Sequence, residues 1–325
     1  MSGRPAVSVA MPLYNKAAYV VEAVASALSQ SFGDFELIVI DDGSTDDGPQ
    51  RLRQFKDGRI LLETQDNAGV AETRNRAMRK ARSGLVAFLD ADDVWAPDHL
   101  RHLVELSRRY PQAAMFGNQF IEFDRKITTT AANLVEYKLL DDYFATCAFG
   151  SQPFFTSSCM VRRETALAHD GFPVGHSRGE DLALWARLAA AAPVAVSNYM
   201  GCYYRRGGSE LTSRPVVAPD ISMQTIEDLL SRQTAWTAAQ RNSAREYYYR
   251  IALAHCFDCL RAGEPVAAAN FMQIAARTRA LRSRWWQARL LASAPRFLRE
   301  LVFFSKRSRE SMRGQNANRT RDDQP

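Results

Sequence analysis

Short apolar, β-branched segments alternate with longer amphipathic segments over about the first hundred residues, and this alternation restricts the fold more than any other feature. The apolar segments have the length and composition of buried strands, and each amphipathic segment places its apolar residues on one helical face. Such alternation is typical of an α/β domain with a mostly parallel sheet. The predicted strands are 6–11, 35–40, 60–62 and 85–89, and the predicted helices among them are 16–30 and 68–81.

The remaining sequence divides into a mixed part and a helical part. The mixed part is predicted to contain a helix at 97–109, strands and loops over 113–163, a helix at 181–192 and a strand at 194–204. Beyond Arg214 the strand signals end, and Pro215 and Pro219 mark a boundary. We therefore predict an α/β domain over 1–215, a basic, mostly helical region over 216–313 and a disordered tail over 314–325.

The composition excludes several classes of protein. Apolar residues make up 46% and charged residues 24% of the 325-residue chain, which is ordinary for a folded soluble protein. No segment approaches the roughly 18 consecutive apolar residues of a membrane span. The N-terminus shows no secretory signal pattern, so we expect a cytoplasmic protein. The five cysteines are scattered, which favours reduced, buried thiols over a zinc site.

Polar residues follow each of the four predicted strands. In open α/β sheets, ligands bind beyond the carboxyl ends of the strands, so these segments are the candidate site. Asp, Asn, Gly and Ser also cap helices and close turns without any ligand, and for Asp46 and Asp47 that interpretation has equal weight. The four segments are 12–15, 41–47, 67–75 and 90–93.

The acidic segment Asp90-Ala91-Asp92-Asp93 differs from ordinary turn chemistry. Three carboxylates at the end of an apolar strand repel one another unless a cation or hydrogen-bond donors offset their charge. Their spacing suits a hard divalent ion that takes carboxylate oxygen on one side and phosphate oxygen on the other. The segment therefore predicts a metal and diphosphate site.

Taken together, these segments resemble the family 2 glycosyltransferases, whose catalytic domain has the Rossmann-like GT-A fold. The resemblance covers about residues 6–210 and depends on five motifs that occur in the family's order. These are the opening strand and loop 8–15, the Asp-Asp-Gly-Ser-Thr-Asp segment 41–46, the helix start 67–78, the Asp90-Ala91-Asp92 motif, and the acidic motif Gly179-Glu180-Asp181 with Leu184, Trp185 and Arg187.

The resemblance implies a role for each matched residue. The donor, a nucleotide diphosphate sugar, would be held by Pro12, Tyr14, Asp41, Asp42, Asn67, Arg74, Asp90 and Arg205. Asp92, assisted by Asp90 or Asp93, would hold Mn²⁺ or Mg²⁺ against the diphosphate. Asp181 would be the general base of an inverting, single-displacement transfer to an acceptor hydroxyl, with Glu180 as the alternative. The acceptor is expected to be a surface glycan or glycolipid.

Two features of these motifs leave alternatives open. Asp181 falls in the first turn of a predicted helix, where an acid also stabilises the helix dipole without any catalytic role. Many family members carry Tyr-Arg-x-His after the acidic motif, whereas this chain has Tyr204-Arg205-Arg206-Gly207. The third metal contact is therefore open, and Arg205 and Arg206 are candidates for holding the diphosphate instead.

The basic charge is concentrated in the C-terminal part. Residues 216–325 carry a net charge of +8, whereas residues 1–215 carry −2. Residues 277–313 hold eleven lysines and arginines against two glutamates, interleaved with tryptophan and phenylalanine. This pattern suits a helix on anionic headgroups, at the inner face of a membrane, and suits equally a helix packed on the catalytic domain. No nucleic-acid-binding module accompanies the charge, so we expect no nucleic-acid partner.

Two rival functions remain to be weighed. A sugar-phosphate nucleotidyltransferase usually brings a glycine-rich, lysine-containing loop near the first strand, and residues 12–16 contain no glycine. A protein that binds nucleotide sugars or membranes without turnover would keep the fold but would not need Asp92 and Asp181. Both features favour the transferase.

Overall fold

The structure is a computed structural model that describes residues 3–123, 134–176, 178–205 and 215–293. The chain divides into two compact units, of which the first contains residues 1–213 and 220–247 and the second contains 214–219 and 248–325. This division places 220–247 with the first unit, whereas the sequence pattern placed a boundary near 215. The limits of the functional domain stay a prediction.

The first unit is built on one mixed sheet. In the described residues its strand order is β3-β2-β1-β4-β8-β6-β9-β5, with β7 paired to β9. The strands are β1 Val7–Leu13, β2 Phe35–Asp41, β3 Ile60–Thr64, β4 Leu85–Phe88, β5 Val94–Trp95, β6 Met115–Phe123, β7 Tyr137–Leu139, β8 Cys159–Arg162 and β9 Val194–Arg205.

The helices lie between these strands and after the last one. Those of the first unit are α1 Val20–Leu28, α2 Gly48–Arg51, α3 Val70–Lys80, α4 His99–Arg109, α5 Tyr143–Phe149, α6 Arg163–Ala168, α7 Glu180–Ala191 and α8 Ile221–Arg232. The helix α9, Ala238–Ala262, contributes residues to both units, and α10 Pro265–Ala275 and α11 Arg282–Ser293 belong to the second.

Strands β1, β2, β3 and β4 form the parallel half of the sheet. β1 pairs in parallel with both β2 and β4, and β2 pairs in parallel with β3. All seven residues of β2 are buried, as expected of a strand covered on both faces. The carboxyl ends of these strands therefore meet at one edge, where segments 12–15, 41–47, 67–75 and 90–93 follow.

Strand β8 brings a distant part of the chain to the same edge. It lies between β4 and β6 and is antiparallel to both, with Met160 opposite Ala87. Antiparallel pairing places the start of β8 beside the end of β4. The short 3-10 helix Thr156–Ser158, immediately before β8, consequently lies at the acidic segment that follows β4.

The predicted fold class is confirmed, since strands and helices alternate around a sheet whose first half is parallel and helices follow it. The predicted elements of the first hundred residues begin or end within a few residues of the observed bounds. The described residues beyond 215 form helices and no strand. The predicted tail at 314–325 lies outside the described residues. Among the helices that are described, none is both long and apolar enough to cross a membrane.

Candidate active site

The loops after β1 and β2 are joined by side-chain hydrogen bonds. The backbone N–H of Asn15 donates to Oγ of Ser44 at 3.1 Å, and Oδ1 of Asn15 accepts from the N–H of Thr45 at 2.8 Å. Asp41 is buried and accepts from the N–H of Ser44 at 3.0 Å. The two loops therefore form one surface, on which the side chain of Tyr14 is 45% exposed.

Asp42 stabilises the loop that leads into α3. Its carboxylate accepts hydrogen bonds from the backbone of Ala68 at 2.8 Å and Gly69 at 2.9 Å, and its carbonyl accepts from Nδ2 of Asn67 at 3.0 Å. Gly69 has φ of +84°, a conformation that glycine adopts without steric cost. Hydrogen bonds of Asp42 and Asn67 thus connect the end of β2 to the loop before α3. The predicted contacts of these two residues with a donor stay predictions.

The three carboxylates after β4 have different partners. Asp90 accepts from Nη2 of Arg74 at 2.8 and 3.0 Å, while Oδ2 of Asp92 lies 2.6 Å from Nζ of Lys16. Asp93 accepts from the hydroxyl of Ser157 at 2.5 Å and from the backbone N–H of Arg205 at 3.0 Å. The repulsion expected within the segment is therefore offset by a cation or a donor at each carboxylate.

Asp93 is directed into the protein core. It is 1% exposed, and burial, followed by the charges of Asp90 and Asp92, raises its pKa well above the ordinary value. The bond from Arg205 holds the end of β9 against the acidic segment, and the bond from Ser157 holds the turn before β8 against it. Metal binding by Asp93 stays a prediction, and this buried position does not favour it.

Asp90 and Asp92 fit a hard divalent cation better than Asp93 does. Their side chains are 25% and 14% exposed, and both offer carboxylate oxygen. Within the described ranges no three His, Cys, Asp or Glu side chains form a complete metal site. Two carboxylates suffice for Mg²⁺ or a similar ion when substrate phosphates and water supply the other ligands. A metal ion at Asp92 would compete with the ammonium of Lys16 for the same carboxylate.

Arg74 connects the acidic segment to the start of α7. Its Nη1 donates to Oε1 of Glu180 at 2.9 Å while Nη2 binds Asp90, and its side chain is only 5% exposed. Burial acts to lower the pKa of Arg74, but the charges of Asp90 and Glu180 outweigh it and raise the pKa. Both terminal guanidinium nitrogens are therefore held by carboxylates, and a direct contact of Arg74 with the donor stays a prediction.

The acidic pair at the start of α7 divides into a buried and a half-buried carboxylate. Glu180 is 8% exposed, and burial together with the charge of Asp181 raises its pKa while Arg74 lowers it. Asp181 accepts from the hydroxyl of Thr156 at 2.8 Å and from the backbone N–H of Leu182 at 2.7 Å. Gly179 precedes the pair with φ of +81°, and a Cβ there would approach Asp220 to 2.9 Å.

Arg205 ends β9 beside the acidic segment. Its Nε donates to the carbonyl of Asp92 at 2.9 Å, and its guanidinium forms an ion pair with Glu22. The guanidinium carbon lies 4.5 Å from the ring centre of Phe123 and 4.8 Å from that of Tyr19. Arg205 is thus held in place at the site. Arg206 and the segment in which the family's histidine would occur lie outside the described residues.

Sequence reasoning did not select Lys16, Thr156 or Ser157. Lys16 lies three residues after the end of β1, so its position beyond a strand end was an available signal. Thr156 and Ser157 precede β8, and nothing in their sequence context shows that β8 would pair beside β4. Pro12 is half-buried within β1, next to the loop that carries Tyr14.

Comparisons with known proteins agree on one family. Residues 8–170 match the family described as Glycosyl transferase family 2. The chain is 30% identical over 213 residues to the Escherichia coli UDP-Glc:alpha-D-GlcNAc-diphosphoundecaprenol beta-1,3-glucosyltransferase WfgD, covering 64% of this chain and 79% of WfgD. It is 27% identical to WfaP, an E. coli enzyme with the same described activity, covering 77% of this chain and 96% of WfaP.

Solved structures share the fold. S. aureus TarS 1-349 in complex with UDP-GlcNAc matches with a TM-score of 0.67 at 18% identity, over 88% of each chain. The mannosyltransferase PcManGT from Pyrobaculum calidifontis, in complex with GDP-Man and Mn²⁺, matches with a TM-score of 0.59 at 20% identity, over 91% of this chain and 83% of that one.

Proposed function

The chain belongs to glycosyl transferase family 2, and on that premise we propose that it transfers a hexose from a uridine diphosphate sugar to a hydroxyl of a lipid-linked glycan, with inversion at the anomeric carbon. The predictions of the family, of the GT-A fold and of a glycosyltransferase are confirmed. WfgD and WfaP carry UDP-Glc and GlcNAc-diphosphoundecaprenol in their names, and TarS has been solved with UDP-GlcNAc. These names support the proposed donor and acceptor classes.

The observation that carries the proposal is the bridge from Arg74 to Asp90 and Glu180. It holds the start of α7 against the segment after β4. A donor whose diphosphate is bound at Asp92 would then extend its sugar toward Asp181. The donor sugar and the acceptor hydroxyl would then react between these two segments.

On the donor side, Asp92 and Asp90 would hold Mn²⁺ or Mg²⁺. When bound, such a cation stabilises the negative charge that develops on the leaving diphosphate. Lys16 adds a positive charge beside Asp92, and Arg205 fixes the backbone of Asp92 through its Nε. The exposed ring of Tyr14, together with half-buried Pro12 in β1 and Asp41 at the end of β2, would offer a surface for the nucleoside.

On the acceptor side, Asp181 would take the proton from the attacking hydroxyl. An alcohol is a poor nucleophile near neutral pH, so a carboxylate must remove its proton as the new bond forms. Asp181 is held by the hydroxyl of Thr156 and the N–H of Leu182, whereas Glu180 is buried in an ion pair with Arg74. This difference favours Asp181 over Glu180 as the base. A base on the face opposite the leaving group gives inversion.

A lipid-linked acceptor requires access to a membrane surface, and we propose that α11 provides it. Trp286 and Leu290 are 53% and 70% exposed, and their i, i+4 spacing places them on one face. Arg282 and Arg289 are exposed on the same helix, and residues 277–293 contain no acidic residue. Such a face suits anionic headgroups on the cytoplasmic side of a membrane. The predicted basic region continues to 313, but residues 294–313 lie outside the described residues.

The direct test is transfer from UDP-glucose in the presence of Mn²⁺ to GlcNAc α-linked to a diphospholipid with a short chain. We expect release of UDP that depends on the acceptor and stops with excess EDTA. Full activity in EDTA would contradict the metal site, and a product with the donor's anomeric configuration would contradict inversion. Pyrophosphate formation from UTP and a sugar phosphate would favour the nucleotidyltransferase instead.

A further inference from the structure

Three consecutive hydroxyl residues form one turn of 3-10 helix directly before β8. Thr156, Ser157 and Ser158 are 3%, 0% and 0% exposed. The pairing of β8 with β4 places this turn at the end of β4, beside the acidic segment. The indole Nε1 of Trp95 donates to the carbonyl of Ser157 at 2.6 Å and holds the turn in place.

Each hydroxyl of the turn has a different partner. The hydroxyl of Thr156 donates to Oδ2 of Asp181 at 2.8 Å. The hydroxyl of Ser157 donates to Oδ2 of Asp93 at 2.5 Å and accepts from the backbone N–H of Asp90 at 3.0 Å. Among the described residues, the hydroxyl of Ser158 bonds only to the backbone of Phe155: it accepts from the N–H at 3.0 Å and donates to the carbonyl at 3.2 Å.

We propose that this turn is a spacer that fixes the general base relative to the cation-binding carboxylates, with Thr156 and Ser157 as positioning residues. The inference rests on the proposed function, because it takes Asp181 as the base and Asp90 and Asp92 as the donor side. Adjacent residues of a 3-10 helix advance by about 2 Å, and the bond from Trp95 anchors the turn, so the two hydroxyls are held at a short and defined separation. Any shift of the acidic segment is therefore transmitted to the carboxylate of Asp181.

The spacer is distinct from the ion pairs of Arg74. Arg74 links Asp90 to Glu180 through a guanidinium, whereas the turn links the same segment to Asp181 through two neighbouring hydroxyls. Thr156 and the N–H of Leu182 each bind one oxygen of Asp181, which restricts rotation of the carboxylate. Misplacement of a reacting group by about 1 Å costs up to roughly 10²-fold in rate, so this restraint matters for turnover.

The test compares single substitutions at the three hydroxyls, using transfer from UDP-glucose with Mn²⁺ and calorimetric titration of UDP-glucose with Mn²⁺. Thr156→Val keeps the shape of the side chain but removes the donor to Asp181, and kcat should fall about 10- to 100-fold with donor Kd unchanged. Thr156→Ser restores the hydroxyl and should return most of kcat. Ser157→Ala should also raise the donor Kd, because it removes the hydroxyl that holds the acidic segment.

Ser158→Ala is the matched control, since it removes a buried hydroxyl from the same turn that touches neither segment. It should lower Tm. The kcat per folded molecule and the donor Kd should stay at their wild-type values. The inference is overturned if Thr156→Val keeps the wild-type kcat, or if Thr156→Ser fails to restore it. Equal effects of Thr156→Val and Ser158→Ala would also overturn it. Failure of the proposed function would show in the wild-type protein, as absence of UDP-glucose turnover.

Discussion

Nη1 of Arg74 lies 2.9 Å from Oε1 of Glu180, although the two residues are 106 positions apart in the chain. Nη2 of the same guanidinium binds both oxygens of Asp90. A single buried cation thus holds two carboxylates that lie on different segments of the site. Because Arg74 and Glu180 are buried and Asp90 is only 25% exposed, the stability of each charge depends on the other two.

Arg74→Met should therefore destabilise the protein and disorder the site. Removing one partner of a buried ion pair costs about 3–5 kcal/mol, because the remaining charges stay buried without compensation. Urea unfolding measures the loss. The control is Arg76→Met on the same helix, since Arg76 pairs with Glu63 at the surface and its side chain is 34% exposed. That pair should contribute no more than about 1 kcal/mol. Equal losses for both variants would contradict the bridging role of Arg74.

Asp92→Ala should abolish metal-dependent donor binding while the protein stays folded. A bound cation stabilises transition-state charge by several kcal/mol, so kcat/KM should fall at least about 10³-fold. Calorimetric titration of UDP-glucose with and without Mn²⁺ measures the binding. Asp47→Ala is the control, because this carboxylate follows β2, is 59% exposed and pairs with Arg51 across one helical turn. Mn²⁺-dependent binding that survives in Asp92→Ala would remove Asp92 from the metal site.

Asp181→Asn should reduce turnover while donor binding stays close to wild type. The amide keeps the size of the side chain but cannot accept the proton, so kcat should fall by roughly 10²- to 10⁴-fold. Asp170→Asn is the control, since the side chain of Asp170 is 92% exposed. Proton NMR of the product reports its anomeric configuration. If Asp181→Asn stays active, Asp181 is not the general base, and Glu180 becomes the remaining candidate.

Replacing Trp286 and Leu290 together by serine should weaken binding to vesicles of phosphatidylglycerol and phosphatidylcholine. These two side chains are the exposed apolar part of α11, and the arginines beside them supply the attraction to anionic headgroups. Binding by the wild type should also weaken as salt rises, because the Debye length shortens to about 8 Å at 0.15 M. Vesicle flotation measures the bound fraction.

Val266→Ser provides the control for that experiment. Val266 is 74% exposed on α10, and its removal deletes an exposed apolar side chain outside the basic helix. It should leave vesicle binding unchanged. If the wild-type protein does not bind anionic vesicles at low salt, the membrane role of α11 is wrong and the packing alternative is favoured.

His99 should contribute a pH dependence to stability. Burial, with a smaller effect from the charge of His102, lowers the pKa of His99 from its ordinary value of 6.5 to about 3. Between these two values the unfolded chain binds a proton that the folded protein excludes, so stability falls as pH decreases from 6.5 toward 3. The slope is about 1.4 kcal/mol per pH unit. His99→Asn removes the imidazole that binds this proton. The unfolding free energy of this variant should therefore fall less steeply than that of the wild type between pH 6.5 and pH 3.

The local sequence was sufficient to predict the strands β1 to β4 and β9, the helices α1, α3, α4 and α7, and the order of the motifs. Short, continuous apolar segments identify β1, β2 and β4, because a strand that is buried on both faces of a sheet needs apolar residues throughout. The positions of Tyr14, Asp41 and Asp92 after strands follow from the same pattern, since the carboxyl ends of parallel strands share one edge. Glycine at 69 and 179 is required by local backbone conformation.

Only the tertiary structure decided which side chains meet. Lys16 pairs with Asp92 across 76 positions, and Ser157 reaches Asp93 across 64, because the sheet brings the starts and ends of distant strands together. The contact of Ser157 depends on the insertion of β8 between β4 and β6, and the contact of Lys16 depends on the pairing of β1 with β4; long-range strand pairing sets both. Periodicity reports whether a segment is buried but carries no information about its neighbours in the sheet. The sequence by itself therefore determined the candidate residues, and the strand order determined their partners.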